Sequence, residues 1–192
     1  MKDKQTNDAH LRWEEISSSE AYRCRVFSVR DSRSRSPDGR ESSFTIIDAP
    51  DWAIVIPLVK TEVGESFLMV RQWRHGEGNM SLEFPGGVIE EGEEPGKAAE
   101  RELIEETGWK AETIEPLGSF NPNPAIMSNR VHVFLAMGTM RSGEQELDDD
   151  EYVDFELVPK KAVLAGMGRA PYVHALMASA LVLYLRLGGS GE

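Results

Sequence analysis

A mixed α/β domain with an N-terminal β extension is the fold class this sequence predicts, and three observations predict it. Runs rich in β-branched and aromatic residues alternate with helical segments over most of the length, with no repeat and no low-complexity linker. Ala53 to Val59 is a nearly continuous apolar run, as suits a strand buried on both faces. Pro95 to Thr107 carries helix signals at both ends. A length of 192 residues, 40% of them hydrophobic, suits one domain with a small extension.

Taken in order, residues 1–20 read as a polar segment frayed at its start, with Leu11, Trp13 and Ile16 as docking points. Tyr22 to Val29 and Phe44 to Ile47 read as strands of a hairpin, with Pro37-Asp38-Gly39 as the turn. Arg30, Arg33 and Arg35 then fall in a solvated tip. After the buried strand at 53–59, a turn around Gly64 leads to a second strand, Phe67 to Val70, and then Ser81 to Phe84 runs into Pro85-Gly86-Gly87. The helix at 95–107 has Pro in its first turn, Ala98, Ala99 and Leu103 as an apolar stripe, and Gly108 just past its end. Val131 to Met137 and Tyr152 to Val158 are further strands, followed by a short helix at 159–165 and a longer one at 172–187. The expected division is a tail and hairpin at 1–48 and a main domain at 49–192.

A net charge of −12 argues against a nucleic-acid backbone as partner, because phosphate binding needs a basic face. Phosphorylated small molecules stay admissible when divalent cations stand between protein carboxylates and ligand phosphates. Cys24 is the single cysteine, so no intramolecular disulfide forms, and it reads as a half-buried strand residue. The first ten residues have no apolar core and do not read as a signal peptide. Ala175 to Leu187 is too short to span a bilayer. A cytoplasmic protein with no membrane partner is the expectation.

The helix at 95–107 is unusual in its carboxylates. Glu102 and Glu106 share a face at i, i+4, with Glu105 beside them. Like charges at that spacing cost a few tenths of a kcal/mol (about 0.2–0.5) per pair. The negative end of the helix dipole makes the position worse. A solvated acidic face, with Arg101 pairing to Glu105, is the bland account. The flanking Pro85-Gly86-Gly87 and Glu93 favour another: a tight glycine loop and an acidic helix form a hard, oxygen-rich site suited to magnesium or manganese.

These residues resemble a known family. Gly87, five residues, Glu93, seven residues, then Arg101-Glu102-Leu103-Ile104-Glu105-Glu106-Thr107-Gly108-Trp109 fits the Nudix box without a gap. With seven fixed positions at roughly 5–10% each, a chance match arises about once in ten million starting points or less. The resemblance implies an α/β/α sandwich with a mixed sheet, and hydrolysis of a nucleoside diphosphate linked to another group. It implies metal ligands at Glu102, Glu106 and the Gly86 carbonyl, and at Glu105 a metal ligand or a residue supporting one, with Mg²⁺ as cofactor and Mn²⁺ as substitute. Arg101 and Glu93 match positions that brace the helix and loop, and Glu105 and Arg101 are carried as catalytic positions.

Outside the box, Val70-Arg71-Gln72-Trp73-Arg74 looks like a segment of the ADP-ribose and nucleoside diphosphate sugar pyrophosphatases of that family. Arg74 is the stronger candidate for binding the diphosphate or the distal ribose and Arg71 the weaker, a surface ion pair being the plain alternative for both. Asn121-Pro122-Asn123-Pro124-Ala125 with Ser128-Asn129-Arg130 resembles the subgroup's proline-containing loop. In the acidic stretch 147–151, Glu151 best fits the subgroup glutamate that binds metal or acts as base, while Asp148, Asp149 and Asp150 offer other choices. Trp52, Phe27 and Phe44 are candidates for stacking on adenine, each with a core role as the alternative. Glu83 contacts the substrate ribose or anchors the glycine loop; the sequence leaves both open. His174 reads as a packing histidine, and His75 and His132 show no metal pairing.

The resulting expectation is a homodimeric hydrolase, paired through the N-terminal extension as the subgroup resemblance implies. It cleaves ADP-ribose or a related ADP-sugar to AMP and a sugar phosphate. A broader hydrolase of GDP- or UDP-linked sugars and a non-enzymatic Nudix-fold sensor are the alternatives.

Overall fold

The structure is a computed structural model and describes residues 8–62 and 64–188. Backbone contacts divide the chain into two units: Met1–Pro50 with Asn121–Asn129, and Asp51–Phe120 with Arg130–Glu192.

The first unit is an antiparallel sheet of three strands, β1 (Glu14–Arg23), β2 (Ser28–Arg35) and β3 (Glu41–Asp48), in the order β1-β2-β3. A 3-10 turn, Asp8–Leu11, precedes it. Four expectations are corrected here. The segment 14–20, read as a polar stretch with no strand in it, is most of a ten-residue strand. Its Glu- and Ser-rich sequence shows no alternation because it is exposed along its length. Cross-strand polar contacts hold it instead: Glu15 accepts from Arg30 at 2.6 Å and from Ser32 at 2.6 Å. Likewise the strand expected over 22–29 is broken after Arg23, where the Cys24 N–H reaches the Phe27 carbonyl at 3.0 Å and closes a turn. Cys24 thus lies in that turn, partly buried. Arg30, Arg33 and Arg35 lie in β2 rather than in a loop tip, paired with Glu15, Asp48 and Glu41. The tip itself is Ser36–Arg40, where Gly39 takes a φ of 88°. Segment 121–129 adds to this unit through a parallel bridge between Met127 and Ile47.

The second unit is built on a seven-stranded mixed sheet. Its strands are β4 (Trp52–Thr61), β5 (Gly64–Arg74), β6 (Asn79–Glu83), β7 (Gly86–Val88), β9 (Thr113–Phe120), β10 (Val131–Met137) and β12 (Val153–Pro159). The main order is β12-β5-β4-β10-β9, with β6 beside β5 and β7 beside β4; β10 runs parallel to β4 and the other pairs are antiparallel. A two-residue ladder joins β8 (Trp109–Lys110) to β11 (Met140–Arg141). The helices are α1 (Pro95–Thr107), α2 (Lys160–Gly166) and α3 (Ala175–Gly188).

Strand β4 shows why an apolar run lacks alternation. Ala53 and Val55 pack with Ala98, Ala99 and Leu103 of α1, whereas Ile54 and Ile56 pack with Met177, Ala180 and Leu181 of α3. Helices cover both faces of the sheet, so both side-chain sets are apolar. The α/β/α layering expected from the family resemblance is present. α1 occupies the expected span, and the N–H of Gly108, at φ 68°, caps it on the Ile104 carbonyl at 2.7 Å. The sequence reading passed over β9, whose Pro116 and Gly118 weaken its strand signal, and β10 holds it with a register shift. α3 begins at Ala175, so 172–174 precede the helix. Among the described residues no helix is long and apolar enough to cross a membrane.

Candidate active site

The double glycine sets the geometry. β7 pairs with Trp52–Ile54 of β4, which brings Gly86 against the backbone of Ala53 and Ile54 so closely that a Cβ would collide. At Gly87 a Cβ would lie 2.5 Å from Glu102 Oε1. The hydrogen atom at Gly86 lets the glycine strand close on β4, and the one at Gly87 makes room for the Glu102 carboxylate of α1.

On that face the three glutamates differ. Glu106 is 4% exposed and accepts the Gly86 N–H at 2.9 Å. Burial pushes its carboxyl up to about 8, and the charges of Glu102 and Glu151 add to the shift. Glu102 accepts from Arg101 Nη1 at 2.9 Å, and burial raises it to about 7 despite that cation. Glu105 is half-buried and accepts from the same Arg101 nitrogen at 2.9 Å.

Arg101 is a clamp. Besides these two carboxylates it donates to both oxygens of Glu93, at 2.9 and 3.0 Å, and to the Val88 carbonyl at 3.0 Å. Its planar fork thereby ties the α1 glutamates to the glycine loop. The Glu93 contact, first among these, raises its pKa.

Glu151 lies exposed in the loop before β12 and accepts the Asp148 N–H at 3.2 Å. It is close enough for its charge to act on Glu102 and Glu106. Among the described residues no three His, Cys, Asp or Glu side chains stand as a closed cation cage. The contacts give the reason: Glu105 turns to Arg101 and Glu106 to a backbone N–H. The donor set nonetheless fits a hard dication, being all oxygen, with two buried carboxylates driven toward protonation by burial first and then by neighbouring carboxylates.

Beside this face opens a cavity of ≈ 320 Å³, lined in part by Trp52, Arg74, Glu83, Gly86, Gly87 and His174. Four candidates from the sequence, Trp52, Arg74, Glu83 and Gly86, therefore meet in one place. Arg74 forms a two-pronged pair with Glu83, Nε to Oε1 at 2.9 Å and Nη2 to Oε2 at 2.7 Å. Glu83 is buried, but this partner holds its carboxyl below the usual value against the desolvation that would raise it.

Arg71 is not a lining residue of this cavity; it pairs with Glu156 across β5 and β12 in a surface ion pair. Phe27 and Phe44 belong to the first unit, where Phe44 packs edge-on against Trp13 at 5.2 Å and Phe27 lies near Tyr22. His132 pairs with Asp51 at 3.2 Å. Asn121 staples its own loop, donating to the Met127 carbonyl at 2.7 Å and accepting the Asn123 N–H at 2.9 Å. His174, read from sequence as a packing residue, lines the cavity with Nδ1 buried and without a hydrogen bond. Nothing in its sequence context, a lone histidine before an apolar helix, marks that position.

Residues 49–177 match the NUDIX domain family. The chain is 37% identical over 119 residues to an ADP-ribose pyrophosphatase of Bacillus subtilis, covering 62% of this chain. It is 34% identical over 119 residues to a methanol dehydrogenase activator of Bacillus methanolicus, again covering 62% of this chain. The chain spans 63% of the length of each of these relatives. In fold it is similar to a crystal structure of an ADP compounds hydrolase, with a TM-score of 0.81, 22% identity, and coverage of 94% of this chain and 97% of that one. A box intact from Gly87 to Trp109, folded as a glycine strand against an acidic helix, and a family match over two thirds of the length lead to one assignment: the chain belongs to the Nudix family.

Proposed function

We propose that the protein hydrolyses the diphosphate bridge of ADP-ribose or a related ADP-sugar, releasing AMP and a sugar phosphate. The observation that carries this reading is the junction of two features: buried Glu102 and Glu106 against Gly86-Gly87, and a cavity walled by Gly86, Gly87, Arg74 and Trp52. The relative named ADP-ribose pyrophosphatase supports the choice of substrate.

Glu102, Glu105, Glu106, Glu151 and the Gly86 carbonyl would hold Mg²⁺, with Mn²⁺ as a substitute. Bound there, the dication supplies charge neutralisation on the phosphoryl oxygens and lowers the barrier to attack by water. The chain's own residues do the rest. Arg101 fixes the orientation of Glu102 and Glu105, Arg74 binds the diphosphate, and Trp52 offers a flat apolar face to the base. Glu151, an exposed carboxylate, takes the proton of the attacking water as the new P–O bond forms and the bridging P–O bond breaks. The proposal includes a cytoplasmic setting and a homodimer joined through the N-terminal sheet, whose edge strand β1 is exposed throughout. A single-chain mass by light scattering overturns the dimer.

The decisive assay measures phosphate release, coupled to a phosphatase, over a panel of nucleotide sugars with Mg²⁺. Preferential turnover of ADP-ribose or ADP-sugars is expected. Equal or better turnover of GDP- or UDP-sugars rejects the base preference, and turnover of nucleoside triphosphates alone rejects the substrate class. The relative named as an activator favours one second reading, a ligand-binding regulator on the same fold. Tight ADP-ribose binding without any hydrolysis would select it.

A further inference from the structure

Arg74 has two calls on its charge. In the structure its guanidinium, 41% exposed, neutralises Glu83, whose side chain is 3% exposed. On the proposed function, on which this inference rests, the same guanidinium meets an entering diphosphate. Turning toward that anion leaves a buried carboxylate without its counter-ion, a state that needs replacement charge.

His174 is the group placed to supply it. Its Nδ1 stands 3.9 Å from Glu83 Oε2, too far for a hydrogen bond, and is buried with no other partner. An imidazole presenting a lone pair to a carboxylate keeps such a distance, whereas an N–H at that nitrogen would close it. The charged surroundings are few. Glu83 faces it from β6 and Arg74 from β5, and His75 and Glu77 of the β5–β6 turn share with Arg74 and His174 the lining of a neighbouring cavity. Burial first, and Arg74 with it, lower the imidazole's pKa, while Glu83 favours the charged form. Withdrawing Arg74 removes the like charge from beside the ring and leaves the attraction of Glu83 unopposed.

We propose that His174 is a positioning residue that takes over Glu83 when Arg74 engages the diphosphate. A proton from bulk solvent goes to the imidazole, the new N–H at Nδ1 donates to Glu83 Oε2, and the wall of the cavity stays fixed while Arg74 moves. Release of the ligand returns the proton to solvent.

Two measurements test this, both in chelator. The first needs no ligand. NMR titration follows the His174 imidazole, identified by its loss in His174→Gln, in the wild type and in Arg74→Gln. A midpoint at least about one pH unit higher in Arg74→Gln is expected, as for removal of a nearby like charge. An unchanged or lower midpoint overturns the proposal, as does protonation of Glu83 in place of His174.

The second is calorimetric binding of ADP-ribose at pH 7 in buffers of different ionisation enthalpy; both phosphates of this ligand are diesters and stay ionised. Because Glu102 and Glu106, raised to about 7 and about 8, also take up protons beside an entering anion, the readout is the difference: larger proton uptake in the wild type than in His174→Gln is expected. No uptake, or equal uptake in the two proteins, overturns the proposal. If ADP-ribose fails to bind in chelator, the substrate assignment is left to the nucleotide-sugar assay, and the ligand-free titration alone decides the role of His174.

Discussion

Glu106 shows how one side chain couples stability to chemistry. Its carboxyl sits where water barely reaches, with a single backbone N–H for company. In the unfolded chain it releases its proton near 4.5, but folding raises that value to about 8. Between those values the folded chain binds more protons than the unfolded one, so this group's contribution to stability falls as pH rises. In chelator, the melting temperature of Glu106→Gln relative to the wild type should therefore climb steadily from pH 5 to pH 8. A flat difference across that range would mean the carboxyl is not buried as described. At saturating Mg²⁺ the same variant should turn over ADP-ribose at least about 100-fold more slowly, through loss of a charge that holds the dication. Arg101 makes a different point. Lysine keeps the charge but lacks the fork that reaches Glu93, Glu102, Glu105 and the Val88 carbonyl together. Arg101→Lys should stay folded by circular dichroism and lose at least about tenfold in kcat, the fork being a bidentate anchor and not only a charge.

Between elements, the contact of β7 with α1 separates two kinds of glycine. A side chain at Gly86 would strike the backbone of β4, which cannot move without breaking the sheet. Gly86→Ala is expected to destabilise the fold by about 1–3 kcal/mol, as overpacking does, measured by urea denaturation. A side chain at Gly87 meets only the carboxylate end of Glu102, which can swing away. Gly87→Ala should therefore keep most of its stability and lose affinity for Mg²⁺. Equal destabilisation by the two changes would show that the strand does not rest on the helix as described. Leu103, fully buried on the apolar stripe of α1 next to the glutamates, anchors the helix to Ala53 and Val55 of the sheet. Its replacement by Ala should cost about 2–5 kcal/mol.

For the whole molecule, the net charge of −12 and the buried acids mean that the proposed cation would contribute to folding as well as to catalysis. A ligand that binds only the folded state raises its stability in proportion to the logarithm of its excess concentration. Added Mg²⁺ should raise the melting temperature, and by more at pH 8 than at pH 5.5, because protons compete for Glu102 and Glu106 below their raised values of about 7 and about 8. Ca²⁺ should also stabilise, and a monovalent salt at equal ionic strength should not reproduce either effect. Stabilisation independent of pH would place the cation elsewhere on the acidic surface.

Much of this was already written in the chain's local chemistry. Helix α1 was legible to the residue because Pro95, the alanine stripe and Gly108 act within a turn or two of themselves. β4 was legible because burial on both faces forces an unbroken apolar run. The clustering of Glu102, Glu105 and Glu106 followed from helical periodicity alone. What the sequence could not decide depends on partners distant along the chain. β1 carries no apolar rhythm, and only its ladder with β2 makes it a strand. Arg71 and Arg74 are near neighbours with the same charge. Which one meets the cavity and which a surface glutamate is decided by β6 bringing Glu83 to one and β12 bringing Glu156 to the other. His174 stands about a hundred residues from Arg74. Periodicity speaks only of near neighbours, so the sequence could name the acids of the box, while the tertiary structure alone assembled the walls of the cavity beside them.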